Sequence, residues 1–166
     1  GQPPSKVTPA QAQESSSVSK STSNDQIELV KQGFMTFDES ITLGDALDKY
    51  AKFSKTQWQF STTPQGRQIV ECRGELKNEF INQEFYSGYL QGELQKFLPN
   101  ATLEDTNRIQ ITGVTWIFRF ILSKTDDSFE MGPGALLIKG TFENNQLSGE
   151  YDMPEDDLLA KIYKNE

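Results

Sequence analysis

The chain has 166 residues, 35% of them hydrophobic and 24% charged, with 16 basic and 24 acidic side chains giving a formal charge of −8 and a pI near 4.6. That length supports one hydrophobic core without disulfide or metal staples and falls short of a two-domain enzyme. With no histidine and a single cysteine, Cys72, the chain lacks Ser-His and Cys-His nucleophile pairs, histidine zinc sites, CxxC redox pairs and thiolate clusters, while its acidity argues against a nucleic-acid partner.

Residues 1–25 are rich in Ser, Gln, Pro and Thr, with no aromatic residue and no apolar period. Such a stretch buries too little surface to offset the cost of ordering a backbone, about 1–2 kcal/mol per residue. It is expected to be a disordered polar linker, with residues 26–166 forming a single domain. The linker holds two basic residues, Lys6 and Lys20, and two acidic ones, Glu14 and Asp25, so the acidity belongs to the domain. A polar stretch of this kind, in a chain that does not start with Met, is typical of the region just past the cleavage point of an exported bacterial protein. The expectation is a cell-envelope or periplasmic location, a lipid anchor upstream of residue 1 fitting the same pattern; a cytosolic protein is the alternative. No run of about 18 apolar residues suggests a transmembrane segment.

Ile27, Leu29, Phe34 and Phe37 suggest a short strand broken by Gly33, ending in a turn at Asp38-Glu39-Ser40. Thr42, with Asp45 three residues on, marks a helix start, and Leu43, Ala46, Leu47, Tyr50 and Ala51 fall on one face of a helix running to near Phe53. Trp58 and Phe60 then alternate with polar residues. Thr63-Pro64-Gln65-Gly66 fits a type I turn, and Gln68 to Leu76 returns as a strand with Val70 and Cys72 on one face and Ile69 and Glu71 on the other. A helix is expected within residues 77–107, where Phe85, Tyr89, Leu90, Leu94, Phe97 and Leu98 precede Pro99-Asn100, although Gly88 and Gly92 weaken it.

From Arg108 the period becomes two. Ile109 and Ile111 lead to Gly113, where parity changes as at a β-bulge, and Trp116, Phe118, Phe120 and Leu122 continue the strand. Asp126-Asp127 makes a turn, Phe129 to Met131 starts a return strand that Gly132-Pro133-Gly134 interrupts, and strands over Ala135–Phe142 and Gln146–Tyr151 meet at Asn144-Asn145. A closing helix starts at Pro154, with Glu155, Asp156 and Asp157 at its positive end and Leu158, Leu159, Ile162 and Tyr163 on its apolar face. Because helical and strand periods are segregated, the fold class is α+β: an antiparallel sheet of about five or six strands with an N-terminal and a C-terminal helix packed on one face.

Thr42-Leu43-Gly44-Asp45-Ala46, Trp58-Gln59-Phe60 and Gly66-Arg67-Gln68-Ile69-Val70-Glu71-Cys72-Arg73-Gly74 together resemble an uncharacterised bacterial α+β domain of lipoproteins and other envelope proteins. That domain pairs a Thr-x-Gly-Asp/Glu-Ala helix start with a Trp-x-Phe strand and a Gly-x-x-Val-x-Phe-x-Gly strand. Cys72 stands where its pattern has Phe, and residues 77–107 are longer than its connection. The strand Trp116–Phe120 and the segment Leu158–Tyr163 are similar to its closing elements. The resemblance implies an envelope location and no catalytic residue.

Candidate chemistry is sparse. Glu155-Asp156-Asp157 is explained by the helix dipole without a metal, Ser17-Val18-Ser19-Lys20 matches an S-x-x-K motif only by letters, and Gly132-Pro133-Gly134 lacks the context of a phosphate loop. Neither a metal nor a cofactor is expected. Trp58, Phe60 and Trp116 are candidate binding aromatics, with a core role the simpler reading for rings that alternate along strands. Arg67, Arg73, Arg108 and Arg119 are candidates for an anion site, the simpler reading being four separate solvated or salt-bridged side chains. The expected function is a non-catalytic envelope module that binds another envelope protein through Trp58, Phe60, Arg67, Arg73 and Trp116. The alternative is a small hydrolase-type enzyme using sheet carboxylates such as Glu71 or Glu130 without histidine.

Overall fold

The first described helix, α1 (residues 23–31), occupies sequence whose alternation suggested a strand; it belongs to a computed structural model that describes residues 23–153 and 158–166. Ile27 and Val30 lie three residues apart and so share a helical face, and Val30 is fully buried. Phe34 and Phe37, the other positions of the expected strand, are half exposed. Residues 23–25, assigned to the linker by composition, are part of this helix. Past Gly33 the chain turns at Asp38, whose Oδ1 accepts from Ser40 N at 2.9 Å.

Helix α2 (Leu43–Asp48) starts as expected, with Thr42 Oγ1 accepting from Asp45 N at 3.2 Å. Its first turn lies so close to α1 that a Cβ on Gly44 would sit 2.8 Å from the Lys31 Cβ, which is why glycine stands there. The helix stops at Asp48 rather than near Phe53. Tight bonds from Tyr50 N to Leu47 O and from Phe53 N to Tyr50 O swing the chain into β1, and the Tyr50 and Phe53 rings pack edge to face at 4.9 Å.

Strands β1 (Phe53–Thr62) and β2 (Gln68–Leu76) form the expected hairpin. Gly66 N donates to Thr63 O at 2.8 Å, and Gly66 has φ +85°. This is a type I turn closed by a left-handed residue, and it needs glycine at that position. The expected single helix after β2 is three short ones, α3 (Gln83–Tyr89), α4 (Gln91–Gln95) and α5 (Leu103–Asn107), after a 3-10 turn at Asn78–Phe80. A break at Leu90 turns Leu90 and Leu94 into the core and leaves Phe85 and Phe97 half exposed. Helix α5 had no apolar period to announce it: Leu103 is mostly exposed, and the helix is set by a capping box between Thr102 and Asp105.

Strand β3 (Gln110–Leu122) is the spine. It pairs antiparallel with β2 on one side, and on the other with both β4 (Phe129–Met131) and β5 (Ala135–Phe142), the last two separated by Gly132-Pro133-Gly134. The register slips between Ile111 and Gly113, as the change of parity predicted. Strand β6 (Asn145–Asp152) completes a six-stranded antiparallel sheet of order β1-β2-β3-β5-β6, with β4 beside β3. The β5–β6 turn lies one residue earlier than expected, Phe142 pairing with Asn145 so that Glu143, at φ 54°, takes the left-handed position.

The chain closes with α6 (Leu158–Tyr163), which buries Leu159 and Ile162. The expected cap and acidic first turn, Pro154 to Asp157, lie outside the described residues. Tyr50 OH donates to Glu166 O at 2.9 Å and Ala51 N to Asn165 Oδ1 at 3.0 Å, so the exit of α2 is tied to the end of the chain. The fold is α+β, with 29% of the described residues in helix and 38% in strand. No helix among the described residues is long and apolar enough to cross a membrane.

One face of the sheet carries the core. Val70, Cys72, Phe118, Phe120, Leu136 and Ile138 are buried there at 2% exposure or less, together with helical Leu43, Leu47, Leu90, Leu94 and Ile162. The alternate residues of each strand project from the opposite face, and that is where the polar chemistry collects.

Candidate functional site

Gln59, Glu71 and Arg119 stand directly opposite one another on β1, β2 and β3, all on the face away from the core. Arg73 is two residues along β2 from Glu71 and therefore on the same face. Glu71 is 8% exposed and fully engaged: Oε2 accepts from Arg73 Nε at 2.6 Å and from Gln59 Nε2 at 2.7 Å, while Oε1 accepts from Arg119 Nε at 3.0 Å. The terminal nitrogen of Arg119 reaches Glu150 Oε2 on β6 at 3.6 Å. Arg73, Glu71, Arg119 and Glu150 thus alternate in sign across the sheet.

Burial alone would raise the Glu71 carboxyl, but hydrogen bonds and charge from Arg73 and Arg119 outweigh it and hold the group below the usual glutamate value. A carboxylate in this state anchors guanidiniums. It does not hold a proton for general acid catalysis, which needs the opposite shift. Glu130, the other carboxylate considered for catalysis, is exposed on β4, where it pairs with Ile121.

The same face has apolar ground of its own. Ile117 is fully buried and Ala135 is 4% exposed, with Ile69, Ile121 and Leu137 half-buried. At the hairpin end a groove of about 560 Å³ opens over Ile69, Ile121 and Pro133 and is edged by Arg67, Arg119 and Lys124. Neither Arg67 nor Lys124 has an ion-pair partner among the described residues.

The five binding residues named from sequence do not share a surface. Arg67 and Arg73 are on the open face. Trp58, Phe60 and Trp116 pack on the core side. Trp58 Nε1 donates to Asp48 Oδ1 at 2.8 Å beneath the Lys31 ammonium, 5.5 Å from the ring, so it pins α1 and α2 to β1. Trp116 Nε1 donates to Tyr86 OH at 3.3 Å and its ring stands 5.7 Å from that of Phe53. Of the four arginines, Arg67, Arg73 and Arg119 come onto one face; Arg108 pairs instead with Asp105 and Glu143 beside the β5–β6 turn. Lys124 and Gln59 escaped the sequence reading, since only the register of β1, β2 and β3 brings them to these groups.

Among the described residues no three acidic or cysteine side chains converge as metal ligands. Asp126, placed in a turn from the sequence, accepts from Ser128 N at 2.9 Å and shapes that turn. Burial pushes the Cys72 thiol well above the usual cysteine value, so it is not a nucleophile. No family model, curated protein or solved structure matches the chain.

Proposed function

We propose that this chain is a non-catalytic binding or assembly module of the cell envelope that engages another envelope protein through the open face of its sheet. The observation that carries the reading is the row Arg73, Glu71, Arg119 and Glu150, laid across that face beside Ile69, Ile121 and Leu137. Guanidiniums fixed in advance by a buried carboxylate lose little side-chain entropy when a partner's carboxylates meet them, and arginine beside aliphatic ground is a common interface composition. The polar N-terminal segment and the resemblance to envelope domains support the location. The hydrolase alternative has less support, because Glu71 is held ionised rather than protonated.

The test is capture of partners from envelope extracts by the intact chain, by Arg73→Glu, and by Lys96→Glu on the helical side as control, with thermal unfolding showing that each variant is folded. Arg73→Glu is expected to lose a partner that Lys96→Glu keeps. Identical sets, or none, would overturn the reading, and turnover of a substrate by the intact chain would put the enzyme in its place.

A further inference from the structure

We infer that the groove between the β1–β2 turn and the β3–β4 connection binds a small amphiphilic carboxylate, its head between Arg67 and Lys124 and its apolar body on Ile69, Ile121 and Pro133. The inference does not depend on the proposed protein partner or on the envelope location, although Ile69, Ile121 and Arg119 belong to the same sheet face. Its first support is a local change of charge: the chain carries a formal charge of −8, yet among the described residues this groove is edged by Arg67, Arg119 and Lys124 and lined by no carboxylate, the neighbouring Glu71 and Glu130 standing opposite Arg119 and Ile121 in the adjacent strands. Arg119 is already committed to Glu71 and Glu150. Arg67 and Lys124 have no such partner among the described residues, and an incoming oxyanion would supply one.

The groove is also held in shape. Arg67 is held through both of its backbone polar groups, its carbonyl accepting from Thr63 N at 2.8 Å and its N–H donating to Thr63 Oγ1 at 3.1 Å. Ser123 N, one residue before Lys124, donates to Ser128 O at 2.9 Å, and Thr125 N, one residue after it, donates to Ser123 Oγ at 3.1 Å. The floor is rigid because Ile69 and Ile121 are direct partners in the β2–β3 ladder.

Size and polarity select the ligand. About 560 Å³ lies within the range that small organic molecules fill. A bare phosphate would satisfy the cations and leave the isoleucines wet, whereas an alkyl or aryl carboxylate uses both. Extended polyanions are disfavoured, since the rest of the domain repels them.

The experiment is a titration of the full chain with sodium octanoate, followed by amide ¹H–¹⁵N spectra, with octylammonium chloride as the probe of opposite charge. Saturable shifts are expected at residues 63–69, at 119–124 and at Gly132 with octanoate and not with octylammonium. The Arg67→Gln/Lys124→Gln variant should bind about tenfold more weakly or worse, binding should weaken with added salt, and Arg108→Gln should change nothing. Both substitutions lie in exposed turns, so the fold survives them, and unchanged amide dispersion verifies this. An absence of saturable shifts, shifts centred on the helical layer, an equal response to octylammonium, or undiminished affinity in the double variant would each overturn the inference.

Discussion

Arg119 Nε donates to Glu71 Oε1 over 3.0 Å, joining neighbouring strands through residues 48 positions apart in the chain. With Arg73 on the other oxygen at 2.6 Å, one carboxylate holds two guanidiniums. Glu71→Gln removes the charge and leaves both arginines without their anion, and is expected to cost about 1–3 kcal/mol by urea denaturation. The folded carboxyl titrates below its unfolded value, so its contribution is complete above about pH 4.3 and lost as pH falls through the folded pKa. In the variant, that part of the acid sensitivity should disappear.

Asp48 joins three elements. Its Oδ1 accepts from Thr56 Oγ1 at 2.6 Å and from Trp58 Nε1 at 2.8 Å, and its Oδ2 lies 3.1 Å from Lys31 Nζ. Asp48→Ala is expected to destabilise by about 1–3 kcal/mol and to change the emission of Trp58. A variant of unchanged stability would show that solvent replaces the clamp without loss.

The hairpin turn offers a backbone test. Gly66 sits at φ +85° with no neighbour close enough to obstruct a side chain, so Gly66→Ala isolates conformational strain. The expected cost is about 1 kcal/mol, and Gly66→Asn should cost less, because Asn tolerates the left-handed region.

Cys72 is fully buried with its thiol pushed upward. The native protein should react with an aromatic disulfide reagent only as fast as it opens, and at once in denaturant. Fast labelling without denaturant would mean that β2 opens locally.

Much of the fold was legible because strands announce themselves by period two. Trp116, Phe118, Phe120 and Leu122 gave away β3, and Thr63-Pro64-Gln65-Gly66 its hairpin neighbour. Helix α1 was misread because Ile27 and Leu29 also alternate, and over so few residues a helical face and a strand face look alike. Alternation separates two faces without saying which one the helices will cover. Trp58, Phe60 and Trp116 were therefore candidates for a surface they do not occupy. The groove needed more still: Ile69 meets Ile121, and Glu71 meets Arg119, through a pairing register that neither segment encodes alone.

The strand order has a kinetic consequence. With the short β4 set aside, each strand bonds to the one before it in the chain; the β1–β2, β3–β5 and β5–β6 pairings close over short connections of low entropic cost, whereas β2–β3 closes over the helical stretch between Leu76 and Gln110. The links of Tyr50 and Ala51 to the last two residues span more than a hundred positions and wait until the strands have brought the ends of the domain together. Pulse-labelling hydrogen exchange during refolding is expected to protect amides of β2, β3 and β5 first and the backbone N–H of Ala51 last.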